Sequence, residues 1–475
     1  MTTFTYQFNT PTYKGSSNFP TGLFIGGKFV DGSEGKTIDV INPTSGKVIT
    51  AISEGGYIPF YSPPTRTRKD VDVAVATAHK AFEESWGLKV PGSERGRLLM
   101  RLADLIEQNA EELAALEALD NGKAYKTALG FDVAESAAVF RYYGGWAVLM
   151  LAWKLGPSLS VGCTVVLKPS ELTPLTALRI CSLINEAGFP PGVVNIVTGY
   201  GNTVGAAIAE HPHLEKVAFT GSTLVGRSIM KAAASSNLKK VTLELGGKSP
   251  NIIFDDADID QAVKWSAFGI FFNHGQCCCA GSRVYVQASI YDKFVDLFTK
   301  HVKTLKVGDP FEADTFQGPQ VSQTQQERIM GYINSGKAEG ATVHMGGDRH
   351  GEDGYFIQPT VFTDTTPDMT ICREEIFGPV VVVSKFEDEK DIIKQANDSM
   401  YGLAAAVFSR DITRALTVAN KLQAGTVWVN CYNQLNPQLP FGGYKASGFG
   451  RELGEYALQN YTNVKAVHVN LGARK

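Results

Sequence analysis

Residues 164–171 (TVVLKPSE), 193–210 (VVNIVTGYGNTVGAAIAE), 216–233 (KVAFTGSTLVGRSIMKAA) and 241–254 (VTLELGGKSPNIIF) decide the fold class. Each begins with a short run rich in β-branched residues that reaches a turn. In the second and third the turn is opened by glycines and runs on into a helical pattern. Strand, glycine turn and helix repeated in this order predict an α/β fold with a parallel sheet and crossover helices.

Working outward, residues 93–120 set apolar side chains three and four apart among acids and bases, after a Ser and a Glu, which predicts a surface helix pair. Residues 147–167 are apolar over about the length of a bilayer span, roughly 20 residues. Lys154, Gly156, Pro157, Ser158 and Ser160 interrupt them, so a buried helix followed by a core strand is expected. A helix over about 290–306 and strands in 380–386 (VVVVSKF) and 424–430 (AGTVWVN) continue the α/β character. The tail 460–471 (NYTNVKAVHVNL) alternates apolar and polar residues with few sequence neighbours to pair with, which predicts contact with a second copy of the chain.

The 475 residues are 44% hydrophobic and 20% charged with a net charge of −3, the balance of a globular protein of two or three domains. Scattered Lys and Arg offer no basic stripe for nucleic acid and no polybasic arm for a membrane. Small molecules and copies of the chain itself are the expected partners. Of seven cysteines, three are consecutive (Cys277, Cys278, Cys279) and four are isolated (Cys163, Cys181, Cys372, Cys431), which is not the spacing of a disulfide framework. The opening MTTFTYQFNT lacks the pattern of a secretory or organelle leader, and a cytosolic location is expected.

Gly199, Gly201 and Gly205 follow one strand run, and Gly221, Ser222 and Gly226 follow the next; both turns allow backbone N–H groups to approach a phosphate. The same glycines also permit tight packing of helix on strand. Lys168 and Glu171, three apart on one strand-to-helix loop, are candidates for ribose hydroxyls, and Glu171 would repel a 2′-phosphate, favouring NAD over NADP. In residues 273–281 (NHGQCCCAG) consecutive cysteines lack the spacing of a metal site, so no metal is expected. Flanking glycines instead suit a turn whose amides stabilise a thiolate or an oxyanion. A thiolate needs a base, and local pattern leaves two: His274 in the same loop, and Glu244, a carboxylate between apolar residues whose pKa burial would raise.

Four motifs together resemble the aldehyde dehydrogenase superfamily from about Phe24 onward: LELGGKSP at 243–250, FNHGQCCCAGSR at 272–283, EEIFGPV at 374–380 and PFGGYKASGFGRELG at 440–454. The resemblance implies a Rossmann-like cofactor domain over residues 1–246, interrupted near Ala147. It further implies an α/β catalytic domain over 247–446, a C-terminal segment over 447–475 and a small oligomerisation arm forming dimers or tetramers. By the same resemblance Cys278 attacks an aldehyde, hydride passes to NAD(P), and Glu244 activates water on the thioester to release a carboxylic acid; His274 then has no catalytic part. Lys168 and Glu171 are assigned to the adenosine ribose, Gly201 and Gly205 to the adenine side, Gly221 and Ser222 to the pyrophosphate turn, and Glu375 and Phe377 to the nicotinamide ribose.

The chain departs from the family pattern twice. Near Ala147 YYGGWA passes directly into VLMLAWKLGP, where the family has part of the oligomerisation hairpin, the first strand of the cofactor sheet and a Pro-Trp-Asn motif. That asparagine is an oxyanion donor, and loss of one such donor costs about 10² to 10³ in turnover. Residues 55–69 (GGYIPFYSPPTRTRK) are extra. A skipped exon near Ala147 and a retained intron at residues 55–69 would account for both. Two outcomes are therefore open, an aldehyde-oxidising enzyme or a catalytically impaired member that acts only as a binding or subunit protein.

Overall fold

The computed structural model describes residues 2–56, 69–144 and 150–472. The junction near Ala147 and most of the extra segment, residues 57–68, lie outside the described residues.

The largest sheet among the described residues has seven strands in the order Thr342–Met345, Thr360–Thr363, Val380–Phe386, Arg283–Gln287, Pro250–Ile253, Ala404–Phe408 and Thr426–Val429. All pairings are parallel except the first. Its middle strands are β-branched or small and almost wholly buried, as a sheet covered by helices on both faces requires. The predicted helix pair forms as Gly92–Gln108 and Ala110–Asp120, divided at Asn109, and residues 290–306 hold the helix Tyr291–Val302. The apolar stretch becomes the helix Met150–Ser160 followed by the strand Val165–Leu167, and no helix among the described residues is long and apolar enough to cross a membrane.

Two smaller sheets carry the strands that precede the glycine turns. One has the order Lys28–Val30, Leu23–Ile25, Val194–Ile196, Val165–Leu167; the other has the order Gly448–Phe449, Lys240–Glu244, Lys216–Thr220. Val165–Leu167 and Lys216–Thr220 are therefore edge strands, and among the described residues no strand lies between them. All three residues of Val165–Leu167 and four of the five of Lys216–Thr220 are only half-buried, unlike the middle strands of the seven-stranded sheet. Side chains span the break instead of a backbone ladder. The Cys163 thiol points to the Tyr461 carbonyl at 3.5 Å, the Tyr461 ring lies 5.1 Å from Lys216 Nζ, and Lys154 Nζ donates to Thr220 Oγ1 at 2.9 Å. This is the consequence expected of a missing first strand. In the tail, Val464, Val467, Val469 and Leu471 are exposed.

Candidate functional site

The cysteine motif is held as a turn by a left-handed run of backbone. Asn273, His274 and Gly275 all have positive φ (49°, 52° and 72°). Gly275 is required twice over, because a Cβ there would sit 2.1 Å from the Gly378 carbonyl oxygen of the EEIFGPV motif. The Asn273 amide donates to the Gln276 carbonyl at 2.8 Å, and Ala280 N–H donates to the Cys277 carbonyl at 3.0 Å, closing a turn with Cys278 and Cys279 at its corner. Cys277 and Cys278 are half-buried and Cys279 is buried, its thiol pointing to Asn433 Oδ1 at 3.1 Å.

The Cys277 and Cys279 thiols lie 3.5 Å apart, and interaction with its two neighbours holds the Cys277 thiol well below the ordinary range while Cys278 and Cys279 are pushed up. His274 is buried, which drives its pKa down to about 3 and keeps the ring neutral. Its Nδ1 lies 3.4 Å from Gln276 Nε2 and its Nε2 has no partner.

The glutamate motif meets this turn at Gly247, where a Cβ would lie 2.5 Å from the Cys278 carbonyl oxygen. Glu375 covers the same glycines: its Oε1 accepts from Gly247 N–H at 3.0 Å, and a Cβ on Gly246 would fall 2.0 Å from its Oε2. Burial pushes the Glu375 carboxyl up to about 7. Phe377, at φ 58°, turns the chain behind it and offers its carbonyl to the Gln325 amide at 2.9 Å. The three sequence motifs thus converge on one place.

Glu244 ends the strand Lys240–Glu244 and is 4% exposed, with Oε2 unpartnered. Desolvation raises its pKa well above the carboxylate range, and Glu452 adds to the rise while Lys154 and Arg451 oppose it. No hydrogen bond joins it to Cys278. Gly442 makes room for it, since a Cβ there would stand 2.7 Å from Glu244 Oε1. Lys154 and Glu452, which sequence reasoning did not single out, pair at 2.6 Å on this side of Glu244. The available signal was a lysine inside an otherwise apolar helix and an acid inside the closing motif.

On the cofactor side, Lys168 and Glu171 are joined at 2.8 Å, and Lys168 Cδ is 3.7 Å from where a Cβ on Gly205 would stand. Gly201 faces open space. Ser222 caps the helix Thr223–Ser235, its Oγ accepting from Val225 N–H at 3.3 Å. Gly221 packs against the Phe219 ring, and Gly226 lets that helix approach Leu245. Ser222 makes no contact with the Lys168–Glu171 pair.

The aldehyde dehydrogenase family model matches residues 29–148 and 146–467. The chain belongs to the aldehyde dehydrogenase family. The two matched segments meet at the junction near Ala147. An aldehyde dehydrogenase of Agaricus bisporus is 59% identical, covering 98% of each chain, and that alignment runs over 503 positions although the chain has 475 residues. The human mitochondrial aldehyde dehydrogenase is 51% identical, over 95% of this chain and 92% of its own. Among solved structures, the NAD+ complex of the Bacillus cereus aldehyde dehydrogenase is 47% identical with a TM-score of 0.91, covering 95% of this chain and 97% of that one. An indole-3-acetaldehyde dehydrogenase of P. syringae, in complex with NAD+ and IAA, is 37% identical with the same TM-score and coverage. Within this family the Rossmann-like α/β architecture and the four motifs have their place.

Proposed function

We propose that this aldehyde dehydrogenase oxidises an aldehyde to a carboxylic acid with NAD, using Cys278 as nucleophile and Glu244 as base. The observation that carries the reading is the contact of Gly247 with the Cys278 carbonyl, which sets a thiol turn beside a buried acid motif. The residues present suit a dinucleotide: the Lys168–Glu171 pair for a ribose, open space at Gly201, and the capped helix at Ser222 for phosphate. Glu375 and Phe377 would hold the nicotinamide ribose. When bound, the cofactor supplies the hydride acceptor.

The work of the chain's own residues is proton and charge management. Cys278 adds to the aldehyde carbonyl as a thiolate, for which its thiol proton passes to the neighbouring Cys277 sulfur. Glu244, protonated more readily than an exposed acid, is suited to take a proton from water and pass it towards Glu452, the ion-pair partner of Lys154. The attack of that water on the thioester carbon breaks the C–S bond and returns Cys278 as thiol. The boundary between cofactor and catalytic parts falls at Gly246–Gly247, and the exposed tail supports assembly as a dimer or tetramer.

The competing reading is a member that binds without turning over, and the two unpaired edge strands favour it. Absorbance of reduced nicotinamide, followed with aldehyde and NAD, separates the two. The proposal expects aldehyde-dependent growth in the wild type, none in Cys278→Ser, and a loss of about 10² or more in Glu244→Gln. Equal rates in wild type and Cys278→Ser would remove Cys278 from the mechanism.

A further inference from the structure

Lys248 follows Gly246 and Gly247 in the glutamate motif, where the chain passes from the strand Lys240–Glu244 of one sheet to the strand Pro250–Ile253 of another. The parallel pairing of Pro250 with Arg283 brings a second cation to the same place. Arg283 Nε donates to the Lys248 carbonyl at 2.9 Å, and Arg283 N–H donates to the Ser249 carbonyl at 3.3 Å. Strand register thus fixes both cationic residues beside the turn that touches Cys278.

Both side chains are almost out of water, Lys248 at 2% exposure and Arg283 at 4%. The guanidinium is satisfied by neutral groups: besides the Lys248 carbonyl, the Tyr285 hydroxyl at 3.2 Å and the Gln395 and Ala396 carbonyls at 3.3 and 2.9 Å. These four contacts for five guanidinium donors leave one N–H to spare. Lys248 Nζ has no partner in the protein. Burial, with Arg283 adding to it, pulls the Lys248 pKa down to about 7.

Neither cation forms an ion pair with a carboxylate among the described residues. The two acids that act on Lys248 from a distance are engaged elsewhere, Glu375 with Gly247 N–H and Glu374 with the Tyr332 hydroxyl at 2.8 Å. Burial pushes the neighbouring Cys372 thiol up, so it stays neutral. A buried ammonium without a counter-charge is costly, and a second cation beside it adds to the cost.

A cavity of about 10 Å³ lies at this place, with Lys248 and Arg283 on its wall together with Asn397, Leu403, Gln423 and Ala424. Gln423 is exposed and Asn397 half-buried, so solvent reaches the cavity on that side. The volume suits a single particle of about the size of a water molecule. Water would fill it without neutralising either cation, and sulfate, phosphate or a carboxylic acid is too large. A halide fits, supplies the missing charge and accepts from the ammonium and the spare guanidinium N–H.

We propose that this cavity is a site for a monatomic anion, chloride, held by Lys248 Nζ and the Arg283 guanidinium, which ties the glycine turn beside Cys278 to the strand Arg283–Gln287.

The purified full chain is tested by the line width of the chloride NMR signal and by thermal melting, with sodium gluconate replacing sodium chloride at constant ionic strength. Wild type is expected to broaden the chloride line, with bromide reversing the broadening and sulfate leaving it. Its melting temperature should rise by about 2 °C between about 5 mM and about 200 mM chloride. Lys248→Met, which keeps the length and removes the charge, and Ala424→Val, which adds bulk to the lining, should show neither effect; circular dichroism reports the fold of each. If Lys248→Met does not fold, Ala424→Val and the bromide competition in the wild type decide. No broadening, or melting that responds alike to chloride and gluconate, would overturn the proposal and leave the cavity to water. A chloride response of equal size in wild type and in the folded variants is a general salt effect and overturns it as well.

Discussion

Replacing Glu375 with glutamine should change how the stability of this chain depends on pH. The carboxyl lies over Gly246 and Gly247 and is largely out of water, and burial moves its pKa from 4.5 to about 7 despite the hydrogen bond from Gly247 N–H. Because the folded pKa is raised, the native state holds its proton more tightly than the unfolded chain. Its contribution to stability is fully present below about pH 4.5 and is lost as pH rises through about 7. A shift of this size amounts to about 2.5 kcal/mol between pH 5 and pH 9. Glutamine keeps the shape and the acceptor for Gly247 but carries no charge. Urea denaturation of both proteins over this range should show the unfolding free energy of the wild type falling relative to Glu375→Gln by that amount, most steeply from about pH 5 to pH 7. A constant difference across the range would mean that the carboxyl is solvated and that the close packing over Gly246 is not populated in solution.

His274 should act with the opposite sign. Its folded pKa near 3 lies below the ordinary 6.5, so its contribution is present above pH 6.5 and declines as pH falls; His274→Asn, which tolerates the positive φ, should spare about 2 kcal/mol of loss between pH 7 and pH 5 in the same assay. Lys123→Met strips the partner from half-buried Asp132 and should lower the melting temperature, with the double variant Lys123→Met/Asp132→Leu recovering much of the loss. Gly275→Ala puts a Cβ against the Gly378 carbonyl in a left-handed conformation, and a drop in melting temperature together with faster modification of the thiols by an alkylating agent is expected. Inserting the relatives' segment at the junction near Ala147 should pair the two edge strands and restore an oxyanion donor, raising turnover by about 10² to 10³; unchanged NAD binding and turnover would show that the break is harmless.

Much of the architecture and most of the candidate site could be read directly from residue order. Strand, turn and helix follow one another within a few tens of residues, and the glycines at 201, 205, 221 and 226 mark the turns because their backbone demands are local. The motif around Cys278 was legible because it is one contiguous run of residues that resembles the family's cysteine signature. The relation of Glu244 to Lys154 and Glu452 was not, because Lys154 and Glu452 are 298 positions apart and only the packing of the helix Met150–Ser160 against the closing motif joins them. The approach of the Cys277 and Cys279 thiols to 3.5 Å was equally hidden, as it depends on side-chain orientation within the folded turn.

The sequence by itself determined the family, the parallel α/β character, the three motifs that converge and the absence of a segment near Ala147, because these are matters of residue type and spacing. Only the tertiary structure decided what that absence does. It leaves Val165–Leu167 and Lys216–Thr220 as edges of two separate sheets, held across the break by Tyr461, Lys154 and their partners. A strand's neighbours are chosen by hydrogen bonds and burial between distant parts of the chain, and these exist only once the chain has folded.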